Sequence, residues 1–481
     1  MKKLRIIPAG LMLLSVSAAA GCNSNPPLMT FWVNASNEVT DYLMTQVVPR
    51  FKEKYGLAPE DDISILNQGG YDNLYDAVTK AIPANSTPTM AVAYPDHAAT
   101  YLASDSIIDI EQYFLNNPAT AFTEEEKGIE DFVTAFVDEG RDLGGREGLW
   151  TMPLYKSTEV MIYNREVMLR YVSEDPVNRR IPETWDELIA FGEWVYKDDP
   201  EWWSKEENWP IIWDSDSNLF ITHAYQMDIP YTDPSLPEPF VFNNEENKAF
   251  VRELKDLHDR DIFATKGSNA GTYSSAYFTK GQAVVAIGSS GGASYNITSN
   301  FQVGIAPAPV FNTERKAYIQ QGPDVVFFRR STAEELDWAW KFYKFLTETN
   351  YNFQICANIS YNPVRYSSYA LPMYDEYVGS YAEFVDEALL TDEDGQLVHQ
   401  NDNGMGLMEM TAYVARDVIS NDQLFYSPAF LGSAEARGDE TSGVGGVIAG
   451  TLTYEGDDID AQIDRLMVAA YNSAMQAQAG Q

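Results

Sequence analysis

The chain has 481 residues, 45% of them hydrophobic, with 33 basic against 71 acidic side chains and a formal net charge of −38 at neutral pH. A field of that sign repels nucleic acid and anionic lipid surfaces, so neither is expected as a partner; it leaves the ligand class open, because solvated carboxylates serve solubility first. The length suffices for two or more domains with substantial cores, and two cysteines, Cys22 and Cys356, leave no room for a disulfide framework.

The first 21 residues read as an export signal. Lys2, Lys3 and Arg5 give a positive start, Leu11 to Val16 an apolar middle, and Ser17 to Gly21 a small-residue stretch. The apolar part is too short for a membrane span, which needs roughly 20 residues. Cys22 directly after the small residues resembles the lipid-accepting cysteine of a bacterial lipoprotein signal, although Ala19 stands where such signals commonly carry leucine. Ordinary secretion, with Cys22 incidental, is the other reading. Residues 22–27 form a polar tether, and an acylated Cys22 would leave Cys356 without a partner.

Further along, "TFWV" (30–33) reads as a strand. An amphipathic stretch follows, with Val39, Leu43, Val47 and Phe51 four apart and Pro49 predicting a kink or break. "TMAVAY" (89–94), "AVVAIG" (283–288), "VGIAPAP" (303–309) and "DVVFF" (324–328) read as further strands. Two helices announce their starts with capping boxes, Thr184 with Glu187 and Thr332 with Glu335. Strands alternating with helices predict an α/β fold with largely parallel sheets.

Catalytic and metal signatures are sparse. Gly288-Ser289-Ser290-Gly291-Gly292 fits the G-x-S-x-G elbow of serine hydrolases, and of the four histidines only His399 lies downstream of it, in a polar segment. "DSDSN" (214–218) opens like a calcium loop but has Leu219 where the turn needs glycine. No zinc spacing and no phosphate loop occurs, so neither metal nor cofactor is expected. Aromatic residues are abundant, with 10 Trp, 29 Tyr and 23 Phe. Trp32 ends the first strand, Tyr71 follows "NQGG", Tyr94 lies near Asp96, and Trp213 adjoins Asp214. An aromatic face beside a carboxylate suits a neutral polyol, whose C–H faces stack while its hydroxyls seek acceptors.

Several segments in fixed order carry a family resemblance. "LWTMPLYKSTEVMIYNREVM" (149–168) places Tyr163-Asn164 after a proline-ended strand. "IPETWDELIAFGEWV", "FTKGQAVVAIGSSGG", "VGIAPAPV", "GPDVVFF" and "NPVRYSSY" follow in turn. Together they resemble the bacterial extracellular solute-binding proteins of ABC importers, in the carbohydrate-binding group that includes maltodextrin-binding proteins. The resemblance implies a two-lobed periplasmic-binding-protein fold, type II-like, closing by a hinge on its ligand. Crossings are expected near 154–158, 281–286 and 322–326, with lobe one at 28–154 plus 284–324 and lobe two at 155–283 plus 325–481.

Carried over by position, the ligand-binding residues implied are Trp32, Asn34, Tyr71, Asp96, Tyr155, Ser157, Trp213, Asp214, Ser289, Ser290, Gln321, Gly322 and Arg365. Ser289 and Ser290 then become hydrogen-bonding groups rather than nucleophiles, and Arg365 could equally form a buried ion pair. The implied partners are a small carbohydrate, the transmembrane subunits of a permease, and the membrane through a lipid on Cys22, with the chain monomeric and not an enzyme. Glycerol phosphate or another anion, met by Lys156 and Arg365, is an alternative within the family. An exported serine hydrolase or glycosidase is an alternative outside it. The Trp-rich stretch 201–213 and the acidic segment 374–403 carry no assigned role.

Overall fold

A computed structural model describes residues 26–34, 37–205, 207–378, 405–421 and 423–479. Cys22, the export segment, His399 and most of the acidic segment lie outside the described residues. Twelve strands are described: β1 (Met29–Val33), β2 (Ile63–Asn67), β3 (Met90–Ala93), β4 (Met152–Pro153), β5 (Ser157–Asn164), β6 (Trp209–Trp213), β7 (Phe263–Thr265), β8 (Ala283–Ser289), β9 (Val303–Pro307), β10 (Tyr318–Gln321), β11 (Asp324–Phe327) and β12 (Leu424–Phe425). They form two sheets. The first has the order β2-β1-β3-β11-β4; the second has β12-β10-β5-β8-β6-β7, with β9 also on β5.

Both sheets are mixed, where the sequence predicted largely parallel ones. β1 runs parallel to β2 and β3, and β6 to β7 and β8, as βαβ units require. β11 is antiparallel to β3 and β4, and β5 to β8, β9 and β10, because the chain comes back from the other lobe in the opposite direction.

Each sheet anchors one lobe. Phe31, Phe51, Trp340, Phe342, Tyr343 and Phe345 build the first core, with Phe114 stacked on Trp340 at 4.5 Å. In the second lobe β5 is buried on both faces. Met161 and Tyr163 join Trp185, Trp213 and Phe250 on one side, while Val160 and Ile162 meet Leu407, Met410 and Val414 of helix Met405–Ser420 on the other. Burial on both faces explains the unbroken apolar run in "VMIY", which a one-sided strand would not show.

Both capping boxes form. Thr184 Oγ1 accepts from the Glu187 N–H at 3.3 Å and Thr332 Oγ1 from the Glu335 N–H at 3.2 Å, each glutamate reaching back to its cap. The helix predicted around Pro49 breaks there. A π-helical turn, Leu43–Val47, separates two α-helical pieces, since Pro49 brings no N–H and its ring crowds the preceding turn. In the Tyr163-Asn164 pair, Tyr163 is buried over Gly304, where any Cβ would lie 2.4 Å from its ring. Asn164 caps helix Arg165–Glu174 through the N–H groups of Glu166 and Val167.

Sheet membership revises the lobe boundaries. β8, β9 and β10 lie in the second sheet and β11 in the first, so 284–321 belongs with 157–283, while 324–327 and helices Ala333–Leu346 and Thr349–Ile359 belong with the N-terminal lobe. No crossing occurs at 281–286. An apolar strand such as "AVVAIG" carries no mark of the sheet it will join, which is why it was misplaced. The chain crosses at 154–156, between β4 and β5, and returns at 322–323, between β10 and β11. A third segment lies against the first crossing, where Lys156 and Asn362 exchange backbone hydrogen bonds at 3.0 and 2.6 Å.

The crossings share a buried charge. Lys156 Nζ lies 2.6 Å from Asp324 Oδ1 and 2.8 Å from Glu139 Oε2, with no exposed surface on the lysine or on Asp324. Burial alone would depress the ammonium pKa, but the two carboxylates outweigh it and hold it raised. Beside it Gly322 adopts φ +91°, and a Cβ there would meet the Tyr155 carbonyl oxygen at 2.7 Å. Lys156→Met is expected to lower stability by roughly 3–5 kcal/mol, because two carboxylates would stay buried without a counter-charge; urea unfolding measures it.

Candidate functional site

Between the lobes lies a cavity of about 910 Å³. Its walls come from the carboxyl ends of parallel strands, where loops leave backbone groups and side chains free to meet a ligand. Asn34 follows β1 and Tyr94 follows β3; Asp214 follows β6, Lys266 follows β7, and Ser289 ends β8. The crossings supply Tyr155, Ser157, Gln321 and Gly322.

Tyrosines dominate the apolar part. Tyr71 and Tyr94 lie 4.2 Å apart between ring centroids and Tyr155 and Tyr361 4.7 Å apart, while Tyr273 and Tyr295 present 58% and 67% of their surface. Among the described residues that line the cavity, four acceptor oxygens, Asn34 Oδ1, Asp216 Oδ1, Asn296 Oδ1 and Gln321 Oε1, are buried with no hydrogen bond inside the protein. Buried acceptors are normally satisfied, so these four, drawn from both lobes and from the return crossing, stand out around the cavity.

The glycine-rich loop owes its composition to close approach. A Cβ at Gly288 would lie 2.5 Å from Asp214 Oδ2, and one at Gly291 would lie 2.9 Å from the Tyr361 ring. Ser289 Oγ donates to Ser157 Oγ at 3.0 Å and accepts from the Gly291 N–H. Ser290 turns inward, fully buried, where its Oγ accepts from the Thr158 N–H at 3.2 Å and from Asn362 Nδ2 at 3.5 Å. Among the described residues no histidine hydrogen-bonds to it.

Eight of the thirteen expected ligand residues line the cavity: Asn34, Tyr71, Tyr155, Ser157, Asp214, Ser289, Gln321 and Gly322. Five do not. Trp32, partly buried, packs against the first core from within β1, short of the strand's carboxyl end where the cavity opens. Asp96 sits in the first turn of helix Pro95–Ala103, outside the lining. Trp213 is wholly buried in the second core, its Nε1 donating to Glu159, and Ser290 points away as described. Arg365 forms the buried ion pair, 3.3 Å from Asp131, with its guanidinium 4.0 Å over the Phe132 ring.

Lys156 and Arg365 are therefore both consumed by the scaffold, and the basic groups of the cavity are Lys266 and Arg437 instead. Neither stood in a recognisable motif. Lys266 pairs with Glu440 at 3.1 Å and lies over Tyr273. Arg437 Nη2 donates to Asn218 Oδ1. Asp439 is occupied with the Thr441 N–H and with the hydroxyls of Thr441 and Ser442, ahead of helix Gly443–Leu452. Tyr94 and Tyr361, which no motif marks as ligand residues, also line the wall.

Burial pushes Asp214 up to about 6, against the pull of the Ser274 N–H, and Asp216 up to about 6, against the Thr265 and Gly267 hydrogen bonds. Each carboxyl holds its proton more tightly folded than unfolded. Its stabilising share is therefore complete below about pH 4 and is lost as pH rises through about 6. Asp214→Asn keeps the acceptor for Ser274 without the charge. It is expected to raise stability at pH 7.5 by up to about 3 kcal/mol and to flatten the decline between pH 4 and 6, read by denaturant unfolding across pH.

The bacterial extracellular solute-binding protein profile matches residues 46–382. A search of curated proteins returns no match. Among solved structures, UgpB from Mycobacterium tuberculosis in complex with glycerophosphocholine superposes with a TM-score of 0.68 at 15% identity, covering 95% of this chain and 100% of that one. Maltose-bound T. maritima MalE3 gives 0.65 at 17% identity, covering 94% and 99%. Maltotriose-bound maltotriose binding protein of Thermus thermophilus gives 0.63 at 13% identity, covering 92% and 99%. At such identities these neighbours speak to the two-lobed fold, and the profile match over most of the length settles membership: the chain belongs to the bacterial extracellular solute-binding protein family, whose members bind solutes rather than transform them.

Proposed function

We propose that the chain is the lipid-anchored receptor of an ABC importer, and that it captures a neutral saccharide of more than one ring between its lobes. The observation that carries this reading is the set of unpaired acceptors around the cavity, on Asn34, Asp216, Asn296 and Gln321, among exposed and paired tyrosine rings. Sugar hydroxyls donate to such acceptors, and their C–H faces cover such rings. A volume of about 910 Å³ accommodates several sugar rings. Two of the similar structures hold maltose and maltotriose. Hinge closure would turn ligand binding into a shape that the permease recognises. A lipid on Cys22 would keep the receptor near that permease by raising effective concentration. No chemistry on the ligand is part of this reading, since Ser290, the elbow serine, is buried and bonded to the backbone.

An anion is the second reading, favoured by Arg437, which has no carboxylate within ion-pairing distance among the described residues. UgpB is a neighbour that holds glycerophosphocholine, a zwitterion with an anionic phosphodiester. Against it, Lys266 is already paired with Glu440, and Asp214, Asp216 and Asp439 share the same wall.

Thermal unfolding against maltose, maltotriose, longer maltodextrins, glycerol 3-phosphate and glycerophosphocholine separates the two readings. A ligand at 100 times its Kd should stabilise by about 2.7 kcal/mol. A saccharide is expected to do so, with a smaller radius of gyration in solution scattering, and Tyr155→Ala is expected to weaken it about tenfold. Stabilisation by the phosphodiester alone would replace the saccharide with an anion. Cys22→Ser is expected to move the protein from the membrane fraction to the soluble one, read by fractionation of expressing cells.

A further inference from the structure

Glu159 is the one acidic side chain on β5, it is buried, and it faces neither solvent nor the Lys156 cluster. Its Oε1 accepts from Trp213 Nε1 at 3.2 Å and from Asn218 Nδ2 at 3.3 Å. The other end of the Asn218 amide, Oδ1, accepts from Arg437 Nη2. Three buried groups on three elements, β5, β6 and helix Asp216–Gln226, thus lead from the second core to a guanidinium in the cavity.

The polarity of this chain is dictated from its inner end. Burial pushes Glu159 up to about 7, and above that pH it is a carboxylate that only accepts; Asn218 then has to turn its NH2 toward Glu159, and its carbonyl oxygen faces outward to the guanidinium, which only donates. An outward oxygen selects a donor, and Arg437 is the donor within reach. Trp213, itself without exposed surface, fixes the carboxylate in turn. With one N–H bound to Asn218, Arg437 lies toward the Tyr94 ring, 5.9 Å from its centroid, on the cavity wall. Its remaining N–H groups are then available to acceptor atoms of a ligand.

We infer that Glu159 is a positioning residue for ligand recognition: acting through Asn218, it fixes the orientation of the Arg437 guanidinium in the cleft. The inference rests on the cleft being the ligand site and adds a recognising group that the sequence resemblance did not supply. It also accounts for a carboxylate kept in a core strand at the cost of desolvation, which a purely structural role would meet more cheaply with an apolar side chain.

The first readout needs no ligand. In the unliganded full chain, modification of Arg437 by phenylglyoxal, followed by peptide mass spectrometry, is expected to run roughly fivefold faster in Asn218→Leu than in the parent, the factor one hydrogen bond of ordinary net strength supplies. Glu159→Met should give the same acceleration, with no further gain in the double variant. Glu159→Gln, which keeps the shape, serves if the methionine variant does not fold. Its amide can meet Asn218 in either orientation, so Arg437 should again react faster than in the parent. Parent-level protection of Arg437 in a folded Glu159 variant, or a double variant whose acceleration is the product of the two single ones, overturns the proposal.

Maltotriose is the binding probe. Glu159→Gln and Arg437→Lys should each raise its Kd, and the combination should raise it no more than Arg437→Lys alone, because both act through one group. Multiplying losses would mean that Glu159 acts elsewhere. If maltotriose does not bind while Arg437 protection still follows Glu159, the saccharide reading fails and the positioning role stands.

Discussion

Lys156 occupies the junction of the two sheets with its ammonium sealed between Asp324 and Glu139, and the arrangement of the lobes depends on it. Taking three charged groups out of water costs several kcal/mol per ion, so the cluster persists only because its geometry is close and its remaining valences are filled. Thr151 Oγ1 donates to Asp324 at 2.5 Å, Gln320 Nε2 to Glu139 at 2.5 Å, and Lys156 itself to the Gly322 carbonyl at 3.3 Å. Each partner comes from a different side of the junction. Thr151 precedes β4, Gln320 lies near the end of β10 and Asp324 begins β11, so both crossings are tied to one ammonium. A hydrophobic junction of equal volume could be as stable but would specify the approach of the two strands less sharply, since apolar contacts have no direction.

From that junction the cavity follows geometrically. Tyr155 and Ser157 flank Lys156 in sequence, and Gln321 and Gly322 lie on the return crossing, so the residues that hold the hinge alternate with residues that face the ligand space. Gly322 permits the close approach, its φ of +91° being open to glycine and to few other residues. The loop after β8 uses glycine for a different reason. Gly288 and Gly291 leave room for Asp214 and for the Tyr361 ring, which brings the first lobe against the backbone of the second. Of the glycines in the segment shared with hydrolase elbows, Gly288 thus answers to packing within the second lobe and Gly291 to packing across the cleft.

Electrostatics in the cleft divide into spent and unspent groups. Lys266 with Glu440, and Asp439 with the residues ahead of its helix, are satisfied within the protein. Asp214 and Asp216 are held short of full ionisation by burial, which hydroxyl donors from a bound polyol would relieve. Arg437, aligned from the core through Asn218 and Glu159, is the directional donor on this wall.

Five of the strands, both capping boxes and the kink or break expected at Pro49 were legible in the sequence because each depends on neighbours within a few residues, and the crossings near 154–158 and 322–326 came with the family resemblance, from short motifs in fixed order. Asn34, Ser157, Asp214 and Ser289, carried over by position from the resemblance, do face the cavity, as residues at strand ends and crossings of an α/β fold can. Membership of one sheet or the other was not legible, since β8 and β11 are both apolar runs, and pairing joins strands far apart in the chain. Nor was the division of charge. Lys156 and Arg365 look in the sequence like cleft cations and are buried in the scaffold, whereas Lys266 and Arg437 stand in no motif and reach the cavity. Local patterning determines what an element is, while the side chain that a distant segment covers or exposes is decided only when the lobes assemble, because burial and pairing are properties of contacts between elements and not of either element alone.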